Sequence, residues 1–120
     1  MAIDWEAALD PSEVLDFEMD FGGGPDPVLE AGEEIASYTL AVTAEAALLG
    51  LEIKSGGGYD PALSVGNRSI ILWLQVDPLK ASDPAFDDEG TALGVVATVV
   101  TDATPARTRQ RTFNVTVKQQ

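Results

Sequence analysis

The chain has 120 residues, 45% of them hydrophobic, and sets 20 Asp and Glu against 7 Lys and Arg for a formal net charge of −13. That length bounds it to one domain with room for a real core, and the charge disfavours nucleic acid and anionic membrane surfaces, which both select clustered cations. With no His and no Cys, disulfides, thiolate metal sites, cysteine nucleophiles and Ser–His–Asp triads are excluded, and no run reaches the ~20 apolar residues of a membrane span.

The charge is unevenly laid out. No Lys or Arg precedes Lys54, whereas Arg107, Arg109, Arg111 and Lys118 crowd the last segment. Such a layout suits docking, with an acidic front and a basic tail that can meet in a repeating assembly. The plainer reading is solubility.

Residues 1–9 are acidic and Ala-rich and lack the basic n-region of a secretory signal. They read as an N-terminal arm, either one helical turn or a loose segment. Trp5 is its aromatic residue, either an anchor for a partner or a side chain folded back onto its own domain. Residues 10–120 read as a single sandwich domain. At 15–21, Leu15, Phe17, Met19 and Phe21 alternate with Asp16, Glu18 and Asp20, which is a half-buried strand. Glycines and prolines at 22–27 end it.

Tyr38, Leu40 and Val42 alternate in a second strand over 35–43, followed by an Ala-rich turn at 44–48 and a short strand through Leu51 and Ile53. Residues 59–67 read as a loop. The nearly continuous apolar run 69–76 is a central strand, with Trp73 in the core. Residues 77–90 form a long polar connection. The Val/Thr-rich segment 91–101 and the alternating segment 107–118 make the last two strands, paired across the turn at 102–106. About seven strands with no sustained helical period predict an all-β fold, an antiparallel β-sandwich of immunoglobulin-like plan.

Several groups invite a chemical reading. Asp16, Glu18 and Asp20 share one strand face; paired carboxylates perform acid–base work in glycosidases, but a charged edge strand also deters unwanted pairing or awaits a basic partner. The run Asp87-Asp88-Glu89-Gly90, like the loop with Asp26, Glu30, Glu33 and Glu34, offers oxygens to calcium but follows no EF-hand pattern. The Gly-Gly-Gly tracts lack the Lys-Ser/Thr of a phosphate loop. Arg107, Arg109 and Arg111 alternate onto one face, to pair with carboxylates of the same fold or with the acidic half of a neighbouring subunit.

The order of the segments resembles a family of small immunoglobulin-like virion proteins of tailed bacteriophages, often described as fiber–tail adaptors. The resemblance runs from Asp10-Pro11 into Val14-Leu15-Asp16-Phe17 and through Leu29-Glu30-Ala31-Gly32-Glu33-Glu34-Ile35. It continues in Leu40-Ala41-Val42, Val100-Thr101, Arg111-Thr112-Phe113 and Val115-Thr116-Val117. It implies a structural protein without enzymatic activity or cofactor. Such a protein is made in the host bacterial cytoplasm and built into the virion in several copies, where it attaches fibers or neighbouring proteins to the tail or neck. A capsid decoration or head-fiber protein is the nearest alternative, and a calcium- or carbohydrate-binding module a more distant one. On this reading Trp5, Asp16, Glu18, Asp20, Arg107, Arg109 and Arg111 are the candidate partner-binding residues. The partners are other virion proteins of the tail, neck, fiber or capsid, not nucleic acid or membrane.

Overall fold

A computed structural model of the protein describes residues 2–23, 28–64 and 66–120. Part of the expected turn at 22–27, including Asp26, lies outside the described residues, as do Met1 of the arm and Val65 of the 59–67 loop. The described residues form eight strands: β1 (Ala2–Asp4), β2 (Leu15–Asp20), β3 (Ile35–Val42), β4 (Leu51–Lys54), β5 (Ala62–Leu63), β6 (Ser69–Val76), β7 (Thr91–Thr101) and β8 (Thr108–Val117). A five-residue helix, α1 (Ala44–Leu48), follows β3, and a 3₁₀ turn (Pro84–Phe86) precedes β7.

One sheet has the order β1-β8-β7-β3; the other has the order β2-β6-β4, with β5 also on β6. All pairs are antiparallel except β1 with β8. The β2-β6-β4 and β8-β7-β3 groupings match the B-E-D and G-F-C strands of the immunoglobulin plan, with the first strand placed beside the last. The fold is therefore the expected all-β sandwich.

Alternation explains which residues fill it. Phe17, Met19 and Phe21 from the β2 side meet Leu93, Val95, Ala97 and Val99 of β7 and Phe113, Val115 and Val117 of β8 in one buried cluster. Successive strand residues point to opposite sheet faces, so Asp16, Glu18 and Asp20 face outward, opposite Trp73, Ile71 and Ser69 of β6. The β7–β8 hairpin is in register from Thr91↔Val117 to Val100↔Thr108, as its alternating patterns predict. Gly90, which opens β7, has a backbone φ of 74° and lies so close to Lys118 and the Val117 carbonyl that a side chain has no room.

Four expectations are corrected. The segment 2–9 is not an arm. β1 pairs with β8 at Ile3↔Phe113, the Trp5 amide donates to the Asn114 carbonyl at 2.9 Å, and Leu9 is buried and bonded to Thr116. Ile3 and Trp5 alternate with Asp4 and Glu6, a strand pattern too short to stand out. Trp73 is not core: Ile70, Leu72, Leu74 and Val76 take the buried positions of β6, and the parity of the strand turns Trp73 outward, where it is partly exposed. The 59–67 loop contains β5, which pairs with Ile70 and Ile71. The polar connection before β7 hides a core residue, Phe86, which is fully buried.

Trp5 therefore stabilises the sandwich, and Trp5→Ala should lower the unfolding free energy in urea by about 2–3 kcal/mol, below the usual range for a fully buried aromatic because the ring is half-buried. A loss under ~0.5 kcal/mol, typical of a surface change, would show that the ring does no packing.

Candidate functional site

The two sheets present their edge strands β1 and β2 side by side, and the seam between them is a cleft of about 290 Å³. Its apolar floor is Ile3, Trp5 and Phe113, and its rim is Asp4, Glu6, Glu18 and Asp20. The Trp5 ring stacks on Phe113 at 5.3 Å and tilts against Phe17 at 4.8 Å. Its indole N–H donates to the Glu18 carbonyl at 2.7 Å, which fixes the ring across the seam.

The rim carboxylates are partly held. Glu18 accepts from the Ser69 hydroxyl at 2.6 Å, and Asp20 accepts the amides of Gly22 and Gly23 at 3.0 and 2.9 Å. Asp4 accepts from the Asn114 side-chain amide at 3.2 Å. A partly exposed indole ringed by carboxylates suits a cation carried on an apolar stem, because both the ring face and the negative rim favour it. Lysine and arginine side chains have this form.

The structure thus brings together Trp5, Glu18 and Asp20 from among the sequence-predicted residues. It adds Ile3, Asp4, Glu6 and Phe113, for which the only local signal in the sequence is the Ile3-Asp4-Trp5-Glu6 alternation. Asp16 is not part of the cleft. It faces outward opposite Trp73, which carries Lys54 on its other flank.

On this outer face Tyr59 meets Trp73 edge to face, with centroids 5.2 Å apart and ring planes at 84°, and Lys54 Nζ lies 4.8 Å from the Tyr59 centroid. Rings so nearly perpendicular make no flat stacking platform. Among the described residues, no group of three or more Asp and Glu is placed to hold a metal ion.

The arginines lie elsewhere. Arg109 and Arg111 share the inward parity of Phe113 on β8, opposite Val99 and Ala97. Arg107 binds Glu33, its Nε donating to Oε2 at 3.1 Å and its Nη2 to Oε1, while Nη2 also reaches the Val28 carbonyl at 3.3 Å. Glu33 is 7% exposed. Arg68 donates to the carbonyls of Glu33 at 2.5 Å, Glu30 at 3.2 Å and Gly22 at 3.4 Å. Its guanidinium lies so close over Gly22 that a Cβ there would sit 2.5 Å from Nε. These bonds tie the β2–β3 loop to β6 and to the β7–β8 turn. A larger depression of about 420 Å³ lies beside them, but the charges of Arg107 and Glu33 in its wall are already paired.

A scan against protein-family models finds no match to the chain, and a search of curated proteins finds none either.

The Arg107 guanidinium, with help from the Glu30 amide and the Thr101 hydroxyl, lowers the Glu33 carboxyl from 4.5 to about 2. Asp10 is also lowered, first by the Ser12 hydroxyl and then by the amides of Ser12 and Gln120. A depressed acid binds fewer protons folded than unfolded, so its stabilisation is complete above the unfolded value and is lost as pH falls through the folded one. Urea midpoints should therefore drop between pH 4.5 and 2, and Arg107→Met should flatten that drop while Asp10 keeps a remainder of it. Parallel pH profiles for variant and parent would show that the ion pair does not set the acid limb.

Proposed function

We propose that this protein is a non-enzymatic attachment module of a tailed-phage virion, fixing a fiber or neighbouring structural protein to the tail or neck. The observation that carries this reading is the Trp5 cleft, an apolar seam with four carboxylates on its rim. It offers a pocket for a basic side chain of a partner, flanked by acidic surface that steers the approach of a positively charged protein. The segment resemblance to fiber–tail adaptors and the immunoglobulin-type strand order support the same assignment. Small sandwiches of this kind present two sheet faces and several edges, enough surface for a chain to sit between larger proteins. Decoration of the capsid uses the same surfaces with a different partner.

The test is light scattering of the purified protein mixed in turn with the tail, neck, fiber and major capsid proteins of the same particle. A stoichiometric complex with a tail, neck or fiber protein is expected. It should weaken roughly tenfold in Glu6→Lys, which places a cation on the exposed rim. A complex with the major capsid protein alone would move the assignment to decoration, and no complex with any of them would overturn both.

A further inference from the structure

Among the described residues the large hydrophobic side chains left exposed are Leu79 (90%), Leu48 (74%) and Val14 (36%). All three lie at one end of the sandwich: Val14 leads into β2, Leu48 ends α1, and Leu79 sits in the turn after β6. That turn packs on the helix. The Asp77 amide donates to the Gly50 carbonyl at 2.8 Å, and Lys80 Nζ reaches the Leu48 carbonyl at 3.3 Å. On the other side of the turn, Pro78 and Ala81 form a groove of about 330 Å³ with Pro11, Val14 and Val76. Scattered single leucines on a surface are ordinary, whereas exposed apolar side chains gathered beside a groove mark a contact surface.

Leu79 is held on a bonded turn. The Asp77 carboxylate accepts the Leu79 amide at 3.0 Å, the Asp77 carbonyl accepts the Lys80 amide at 2.8 Å, and the Asp83 amide donates to the Lys80 carbonyl at 3.0 Å. These amides are used within the turn, so a partner gains no strand ladder from them. It must satisfy its own backbone, as a helix does. Charge narrows the partner further. Residues 11–14, 44–50 and 77–83 carry Glu13, Glu45, Asp77 and Asp83 against Lys80, and Lys80 is turned to the helix carbonyl. A second copy would set the same carboxylates face to face, and anionic lipid would repel them.

We infer that this end of the sandwich is a docking surface for an amphipathic helix of another protein, apolar on one face and with Lys or Arg along its flanks. A large apolar side chain of that helix fills the groove beside Val14. Its neighbours one turn away cover Leu79 and Leu48, and the flanking cations meet the carboxylates of the rim. Glu45 lies three residues before Leu48 on α1, so it shares that face of the helix, and Glu13 lines the groove. The surface shares no residue with the Trp5 cleft and does not rest on the proposed function.

The probe is a synthetic amphipathic peptide of leucine and lysine, about 18 residues long so that it holds a helix, titrated into the protein by calorimetry. The parent should bind it, and should bind a peptide with serine in place of leucine roughly tenfold more weakly. Leu48→Ser with Leu79→Ser should weaken binding of the leucine peptide roughly tenfold or more and leave the melting temperature unchanged, since both side chains are exposed. Glu13→Lys with Glu45→Lys should weaken it more than the same reversal at Asp16 and Glu52 on the outer sheet face. A serine variant that binds like the parent, or equal losses from the two charge reversals, would overturn the inference. So would parent binding to phosphatidylglycerol vesicles that the serine variant loses, which would make the end a membrane contact. Parent dimers in sedimentation equilibrium that the serine variant loses would also overturn it, in favour of a second copy.

Discussion

The packing of Trp5 against Phe17 and Phe113 is the contact on which the site depends. Phe17 belongs to β2 and Phe113 to β8, so the indole joins the two sheets at the side where their edge strands lie next to each other. Its N–H bond to the Glu18 carbonyl holds the ring in that position. Removing the ring opens the core and also takes away the floor of the acidic cleft. Fold and candidate site thus share one side chain, which is why the N-terminal segment cannot be treated as an accessory to a finished domain.

The charges show a similar economy. The chain has few cations, yet Arg68 and Arg107 are directed into the β2–β3 loop rather than toward solvent. Arg68 satisfies carbonyls that the loop leaves without strand partners, and Arg107 neutralises a buried carboxylate. Buried carbonyls and charges are costly unless paired. With these groups matched, the loop packs Val28 and Leu29 into the core despite its acidic sequence. Apart from the buried Asp10, the remaining described carboxylates are at least partly exposed, so water solvates their charge.

Much of the fold was legible in the sequence because alternation is a strong signal over six or more residues. β2, β7 and β8 follow it closely, and the β7–β8 pairing follows from the turn between them. The failures have physical causes. In β6 both faces are apolar at several positions, so the pattern does not say whether Trp73 points in or out, and only pairing with β2 and β4 decides it. β1 is too short for a period to show. Phe86 enters the core from a segment whose neighbours are Asp and Pro, where no periodicity exists. For the site, Trp5, Glu18 and Asp20 were each recognisable as binding-type residues, but nothing local reveals that residues 13 and 15 positions apart share a cleft. Arg107 gave no sign that its partner is Glu33, which lies 74 positions earlier. Such pairings are products of topology, and a single sequence carries them only implicitly.

The parallel pairing of β1 with β8 has a mechanical consequence. A force applied through the segment before β1 and the segment after β8 pulls the two strands in opposite directions along their shared axis. The backbone bonds from Ala2↔Thr112 to Asp4↔Asn114, and the further bridge Leu9↔Val117, are then loaded in shear and must yield together. An antiparallel pair pulled from one end instead unzips, one bond at a time. The arrangement loads several backbone bonds at once, so tension along that axis meets more resistance than it would in a pair that unzips.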